Sequence, residues 1–191
     1  MGKVKELERL DKDAEKAVKW LAAEFEYAQK LIAELEEINR ETDSKKAERE
    51  AKQAISIFTW IGRGERRTDR EERKVISGLK KLGELLPPEL RNKEEDFVRQ
   101  LSVAEGMLVK PASRYTGEIR SELKDIRNNE HLLRGLKNHP EIIAKVQDKL
   151  KKEVYAVEAG VKELKKWIES NQAILKGEMK PFVDQLKQLA A

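Results

Sequence analysis

Residues 3–40 read KVKELERLDKDAEKAVKWLAAEFEYAQKLIAELEEINR. Apolar residues recur there at alternating steps of three and four, and only Asp11 breaks the series, which consists of Val4, Leu7, Ala14, Val18, Leu21, Phe25, Ala28, Ile32 and Leu35. A second row of apolar residues, one position before some of these, widens the face: Leu10, Ala17, Leu31 and Ile38. No glycine or proline interrupts residues 3–41, so the stretch predicts one helix roughly 55 Å long that packs against more than one neighbour.

A second long helix is predicted near the other end of the chain. Pro140 suits a first helical position, and the apolar residues after it again follow steps of three and four: Ile143, Val146, Leu150, Val154, Val157, Val161, Leu164 and Ile168. Gly177 and Pro181 are expected to end or kink this helix. We therefore expect long, coiled-coil-like helices at about 4–40 and 140–176 that pair over most of their length.

The segment between them, residues 43–138, reads as several shorter helices. Gly62 and Gly64 are expected to end the first of these, and residues 68–71 (Thr-Asp-Arg-Glu) form a capping box that would open the next. Pro88 would start another, which Pro111 would stop. The polar residues 41–44 predict either a turn or a kink. Because no run alternates between apolar and polar residues, the prediction is an all-α, elongated helical bundle that forms one domain over residues 1–191.

Composition narrows the classes of protein further. Charged residues make up 40 % of the chain and there is no cysteine, which excludes disulfides, thiolate zinc sites and iron–sulfur clusters. The start carries no apolar signal sequence, and no run of about 18 apolar residues occurs. We expect a cytoplasmic protein without a membrane span. Abundant Glu and Lys with no Cys are also typical of thermophile proteins.

Candidates for catalysis or metal binding are few. The two histidines, His131 and His139, lack the glutamate three residues earlier that di-iron helical bundles use, since those positions hold Asn128 and Leu136. Gly62-Arg63-Gly64 is too short for a phosphate-binding loop, and no nucleophile motif is present. The sequence thus predicts no catalytic residue, no metal site and no small-molecule cofactor.

The most distinctive charged feature is basic. Residues 62–81 contain eight basic and four acidic side chains. Arginine forks bind phosphate oxygens in pairs, and neutralised phosphates release counterions, so this cluster predicts a site for an anion or a nucleic acid. The alternative is a solvated loop in which acidic neighbours pair with the arginines. The candidate binding residues are Arg63, Arg66, Arg67, Arg70, Arg73 and Lys74.

One short motif points to a different chemistry. Residues 134–139, Arg-Gly-Leu-Lys-Asn-His, place Arg134 five positions before His139. This spacing resembles the Arg-x4–6-His motif of HEPN-type ribonucleases, which are helical and independent of metals. The resemblance implies that Arg134 and His139 would act together on RNA phosphodiesters at a dimer cleft. Gly135 departs from the family pattern, which has a polar residue directly after the arginine.

Three functions follow from these observations. The first is a non-enzymatic helical protein-interaction or scaffolding protein, which binds a protein partner or self-associates, because long amphipathic helices offer extended surfaces. The second is a nucleic-acid-binding protein that uses residues 63–74. The third is a metal-independent, HEPN-like ribonuclease.

Overall fold

The prediction of an all-α helical bundle is confirmed. A computed structural model describes residues 2–136 and 138–190, with side chains described for 4–100, 103, 117–136 and 138–189. The elements are helices α1 (Gly2–Arg40), α2 (Ser44–Gly83), α3 (Pro88–Gly135), α4 (Pro140–Ala173) and α5 (Lys180–Ala190), with a π-helical segment, Ile174–Met179, between the last two. Among these described residues there is no strand.

The chain divides into two compact units. Unit 1 contains residues 1–25, 63–110 and 166–191, and unit 2 contains residues 26–62 and 111–165. In unit 1, Lys187 of α5 forms an ion pair of 2.7 Å with Asp11 of α1. In unit 2, Ile38 of α1 and Val154 of α4 line the same cavity. The shared lining of this cavity is compatible with the predicted pairing of the two long helices, which stays a prediction, as does the single domain.

Residues 41–43 form a turn between α1 and α2 rather than a kink. The Asp43 carboxylate accepts a hydrogen bond of 2.9 Å from the backbone N–H of Lys45. The Glu41 carboxylate accepts one of 3.1 Å from the N–H of Asp43. Because an aspartate ahead of a helix can satisfy one of its unpaired N–H groups, Asp43 starts α2.

The segment between the long helices differs from the prediction of several shorter helices. It consists of two long ones, since α2 has 40 residues and α3 has 48. Helix α2 continues through Gly62, Gly64 and Thr68, and α3 continues through Pro111. A proline in a helix interior removes one backbone hydrogen bond and crowds the carbonyl four residues earlier, yet here it does not end the helix. The predicted start of α3 at Pro88 is confirmed.

The predicted start of α4 at Pro140 is also confirmed, but the break near residue 177 takes another form. The chain passes from α4 into the π-helical turn and on into α5 with no loop between them. Gly177 lies within that turn and Pro181 lies in the first turn of α5. The helix therefore does not end here as predicted. Its backbone hydrogen bonds change from the α-helical to the π-helical pattern and back.

Two interleaved rows of α1 form its buried face, each with a spacing of seven residues. The first row is wholly apolar: Leu7, Ala14, Leu21, Ala28 and Leu35. The second row carries one charged residue in its middle: Leu10, Ala17, Glu24, Leu31 and Ile38. A spacing of seven keeps both rows on the side that faces neighbouring helices, so Glu24 lies at a core position.

None of the described helices is both long enough and apolar enough to cross a lipid bilayer.

Candidate anion-binding site

The two glycines that were expected to end a helix instead lie inside α2. None of the described glycines has a positive φ, so their conformation gives no reason for a turn. Gly64 is buried against α1, where an added Cβ would lie 2.7 Å from Cγ of Glu24. Gly78 is similarly close to Leu10, with a Cβ distance of 3.2 Å. Glycine at these positions allows α1 and α2 to approach closely.

Polar side chains form the part of this contact around Gly64. Thr68 is 2 % exposed and its hydroxyl donates a hydrogen bond to the carboxylate of Glu24, which is 1 % exposed. Burial raises the pKa of Glu24 well above its ordinary value, and the nearby charges of Glu65 and Glu72 add to the effect. Burial also raises the pKa of Glu65, to about 7. We call Glu24, Glu65, Thr68 and Glu72 the polar layer.

The polar layer explains why the sequence pattern seemed to stop at Gly62. The buried residues of α2 keep steps of three and four on both sides of the layer, from Ala47 to Ile61 and from Val75 to Leu82. Between them the same steps fall on Glu65, Thr68 and Glu72. Thr68 therefore does not start a helix, as the capping-box prediction had it, but is a core residue in the middle of one.

The continuity of α2 arranges the predicted binding residues on one face. At 3.6 residues per turn, Arg63, Arg66, Arg67, Arg70, Arg73 and Lys74 fall within an arc of about 120° over a length of roughly 16 Å. All six are exposed. We call them the basic stripe. The four acidic residues of this segment fall outside that arc: Glu65, Asp69, Glu71 and Glu72.

Contacts within unit 1 restrain several residues of the stripe. Arg73 pairs with Asp69 at 3.1 Å, and Lys74 pairs with Glu71 at 3.4 Å. The guanidinium of Arg67 lies 4.5 Å from the ring centroid of Trp20, a cation–π contact that holds the side chain against α1. Within the described part of the chain, neither Arg66 nor Arg70 has an acidic partner within 4 Å. The stripe therefore combines restrained and unrestrained cations.

The two residues of the ribonuclease-like motif have different surroundings, both in unit 2. Arg134 donates a hydrogen bond of 2.6 Å to the buried carboxylate of Glu48, and His131 contacts the same carboxylate at 3.1 Å. The hydrogen bond from Arg134 lowers the pKa of Glu48 below its ordinary value. His139 is exposed in the turn before α4, where its carbonyl accepts the N–H of Ile143. Lys137, between them, lies outside the described residues.

The sequence analysis missed a second group of residues, around Glu130 in unit 2. Glu130 is 7 % exposed and lines a cavity of about 290 Å³ beside the α1–α2 turn. Burial raises its pKa to about 7, and the charges of Glu50 and Glu48 contribute. The seven-residue rows give a signal for Glu24, and the steps of three and four from Ile126 to Leu133 likewise place Glu130 on the buried face of α3. Its cavity is formed by residues that are far apart in sequence.

Comparisons with family models, with curated proteins and with solved structures find no match to this chain. Among the side chains that the structure describes (4–100, 103, 117–136 and 138–189), no three carboxylates or imidazoles gather in a way that could hold a metal ion. The function has to be argued from the chain's own residues.

Proposed function

We propose that this chain is a non-enzymatic helical protein that binds nucleic acid through the basic stripe of α2. The observation that carries the proposal is the arrangement of six exposed cations on one face of an uninterrupted helix, with the acidic residues of the segment on its other faces. A helix of this kind can lie along a phosphate backbone, because its charges follow one line rather than surrounding a loop.

The stripe suits phosphates better than bases. No aromatic side chain lies among its six residues, and Trp20 is covered on one face by Arg67. Base stacking usually needs an accessible aromatic ring, whereas phosphate binding needs only positioned cations. The proposed contact is therefore independent of base sequence and strongly dependent on salt.

The test is binding of fluorescently labelled double-stranded DNA and RNA of mixed sequence, measured by anisotropy at several salt concentrations. If about four phosphates are neutralised, the affinity should fall on the order of 100-fold between 50 and 200 mM salt. Replacing Arg66→Glu together with Arg67→Glu should weaken binding at 50 mM salt at least tenfold and flatten the salt dependence.

A matched control variant makes the same change in net charge at a site away from the basic stripe. Lys145→Glu with Lys152→Glu replaces two exposed cations of α4, in unit 2. This variant should keep most of the wild-type affinity if the stripe is the binding surface. The proposal is wrong if neither nucleic acid binds at 50 mM salt, or if the two double variants lose affinity equally.

A protein-binding or scaffolding role is the second candidate, supported by exposed apolar residues around the turn between α3 and α4. Leu132 is 49 % exposed and Ile142 is 46 % exposed, and both lie in unit 2. Large apolar side chains exposed together are a feature of interaction surfaces. We expect a second copy of the chain to cover them. Light scattering should then show a dimer that Leu132→Gln with Ile142→Gln converts to monomer, and a wild-type monomer at high concentration would exclude this.

A further inference from the structure

The cavity beside the α1–α2 turn combines apolar walls with one buried carboxylate. Its buried part consists of Ile38, Leu150 and Val154 around Glu130. Exposed residues form its rim: Asn39, Arg40, Thr42, Gln147 and Lys151. The volume of about 290 Å³ is far above the roughly 15 Å³ that one water needs by the same measure, so the cavity can hold a small organic molecule.

Glu130 is 7 % exposed, its carboxylate is reached only from the cavity side, and it has no ion-pair or hydrogen-bond partner among the described side chains. Buried polar groups are nearly always hydrogen-bonded, and a buried carboxylate without a cation is costly when it is ionised. The side chain lines the cavity, so a molecule inside the cavity could supply the missing partner.

We propose that this cavity binds a small primary ammonium ion that carries a short alkyl chain. The ammonium group would donate hydrogen bonds to the carboxylate of Glu130, and the alkyl chain would lie against Ile38, Leu150 and Val154. An ammonium supplies both the charge and the donors that a lone carboxylate lacks. A divalent metal ion suits the site less well, since it usually takes six or more oxygen ligands.

Charged residues of the neighbouring helices face Glu130 and determine which ligand charge the cavity favours. Glu50 and Glu48 of α2 are close enough to raise its pKa, and Glu48 is already bonded to Arg134 and His131. Glu41, Arg40 and Lys151 lie on the cavity itself. Arg40 pairs with Glu37 at 3.1 Å, and Lys151 is exposed. The acidic charge near Glu130 thus favours a cationic ligand.

The experiment uses n-butylamine as the probe, n-butanol as its neutral analogue, and calorimetry of the full chain at pH 8, where Glu130 is ionised. Butylammonium should bind in a saturable way, at least tenfold more tightly than butanol. Glu130→Gln should weaken the binding at least tenfold, and circular dichroism will verify that this variant keeps its helices. Glu36→Gln, at an exposed position of α1 outside the cavity, should bind like the wild type.

The number of protons released when the ligand binds provides a second measurement, which is made first on the wild-type chain. Near pH 7, where Glu130 is about half protonated, binding of an ammonium ion should release part of a proton. The apparent enthalpy should then change with the ionisation enthalpy of the buffer, and this change should disappear in Glu130→Gln. The proposal fails if butylamine does not saturate, if butanol binds equally well, or if Glu130→Gln binds butylamine like the wild type.

The alkylammonium group that the cavity binds could belong to a free amine or to the lysine side chain of a protein. Nα-acetyl-lysinamide, tested under the same conditions, distinguishes these sources. Binding at least as tight as that of butylamine assigns the site to a lysine side chain, and weaker binding assigns it to a free amine.

Discussion

Glu24 of α1 and Thr68 of α2 form a hydrogen bond in the core of unit 1, at positions where the surrounding rows are apolar. The contact is possible because Gly64, one turn before Thr68, leaves room for the Glu24 side chain. A buried carboxylate is tolerated only with partners, so the glycine, the threonine and the glutamate depend on one another.

Because of this dependence, replacing two glycines that are only two residues apart should have opposite effects on the free energy of unfolding. Gly64→Ala would place a Cβ 2.7 Å from Cγ of Glu24, which is buried and cannot move freely, and should lower the free energy of unfolding by about 1 to 3 kcal/mol. Gly62→Ala meets no atom within 4 Å and should leave stability unchanged or raise it by up to about 1 kcal/mol through helix propensity. Urea unfolding measures both, and equal effects would contradict the close approach.

The polar layer also predicts how stability depends on pH. Burial raises the pKa of Glu65 to about 7, so the folded chain holds this proton more tightly than the unfolded chain, in which the pKa is about 4.5. The stabilisation is complete below pH 4.5 and is lost as the pH rises through 7. Glu65→Gln should therefore match the wild type near pH 4.5 and exceed it by up to about 3 kcal/mol at pH 8.

Urea unfolding at several pH values checks this prediction for Glu65. The exposed Glu36→Gln variant serves as the control, and its stability should follow the wild type at every pH. A Glu65→Gln curve parallel to that of the wild type would mean that this carboxyl titrates normally.

The sequence predicts α1 and the start of α4 well because their buried rows are apolar, and apolar periodicity is what a sequence displays most directly. The prediction from sequence fails between Gly62 and Val75 for a physical reason. Half-buried Glu65 and buried Thr68 and Glu72 take the inward-facing positions of α2, so the helix continues while its hydrophobic pattern stops. Two glycines at the same place then resemble a helix end, although Gly64 serves close packing against Glu24 and Gly62 has open space beside it.

The candidate site shows the same limit. The basic residues were found from composition, but their common face follows only from the continuity of α2, whose buried Thr68 bonds to Glu24, a residue 44 positions earlier. The burial of Glu130 follows from its spacing to Ile126 and Leu133, but its cavity could not be predicted, because it is assembled from the α1–α2 turn, α3 and α4. Contacts between distant segments are the part of the structure that local patterns do not encode.

Arg134 offers a test that separates a structural role from the ribonuclease resemblance. Its hydrogen bond to the buried Glu48 predicts that Arg134→Gln lowers the free energy of unfolding by about 1 to 2 kcal/mol, because the carboxylate loses a charged partner. His139 is exposed, and His139→Ala should leave stability unchanged. Incubation with labelled RNA completes the test: cleavage that both variants abolish would support the ribonuclease instead.

The basic stripe predicts unequal contributions from two arginines that are three residues apart on the same helix face. Arg73 is paired with Asp69 at 3.1 Å and must give up this contact to bind a phosphate, whereas Arg70 has no acidic partner within 4 Å among the described residues. Each full phosphate contact adds about one to the slope of log affinity against log salt concentration. Arg70→Gln should therefore reduce that slope by about one, and Arg73→Gln by clearly less. Since both variants remove the same charge, net charge alone predicts equal slopes, and anisotropy titrations at four or more salt concentrations distinguish the two outcomes.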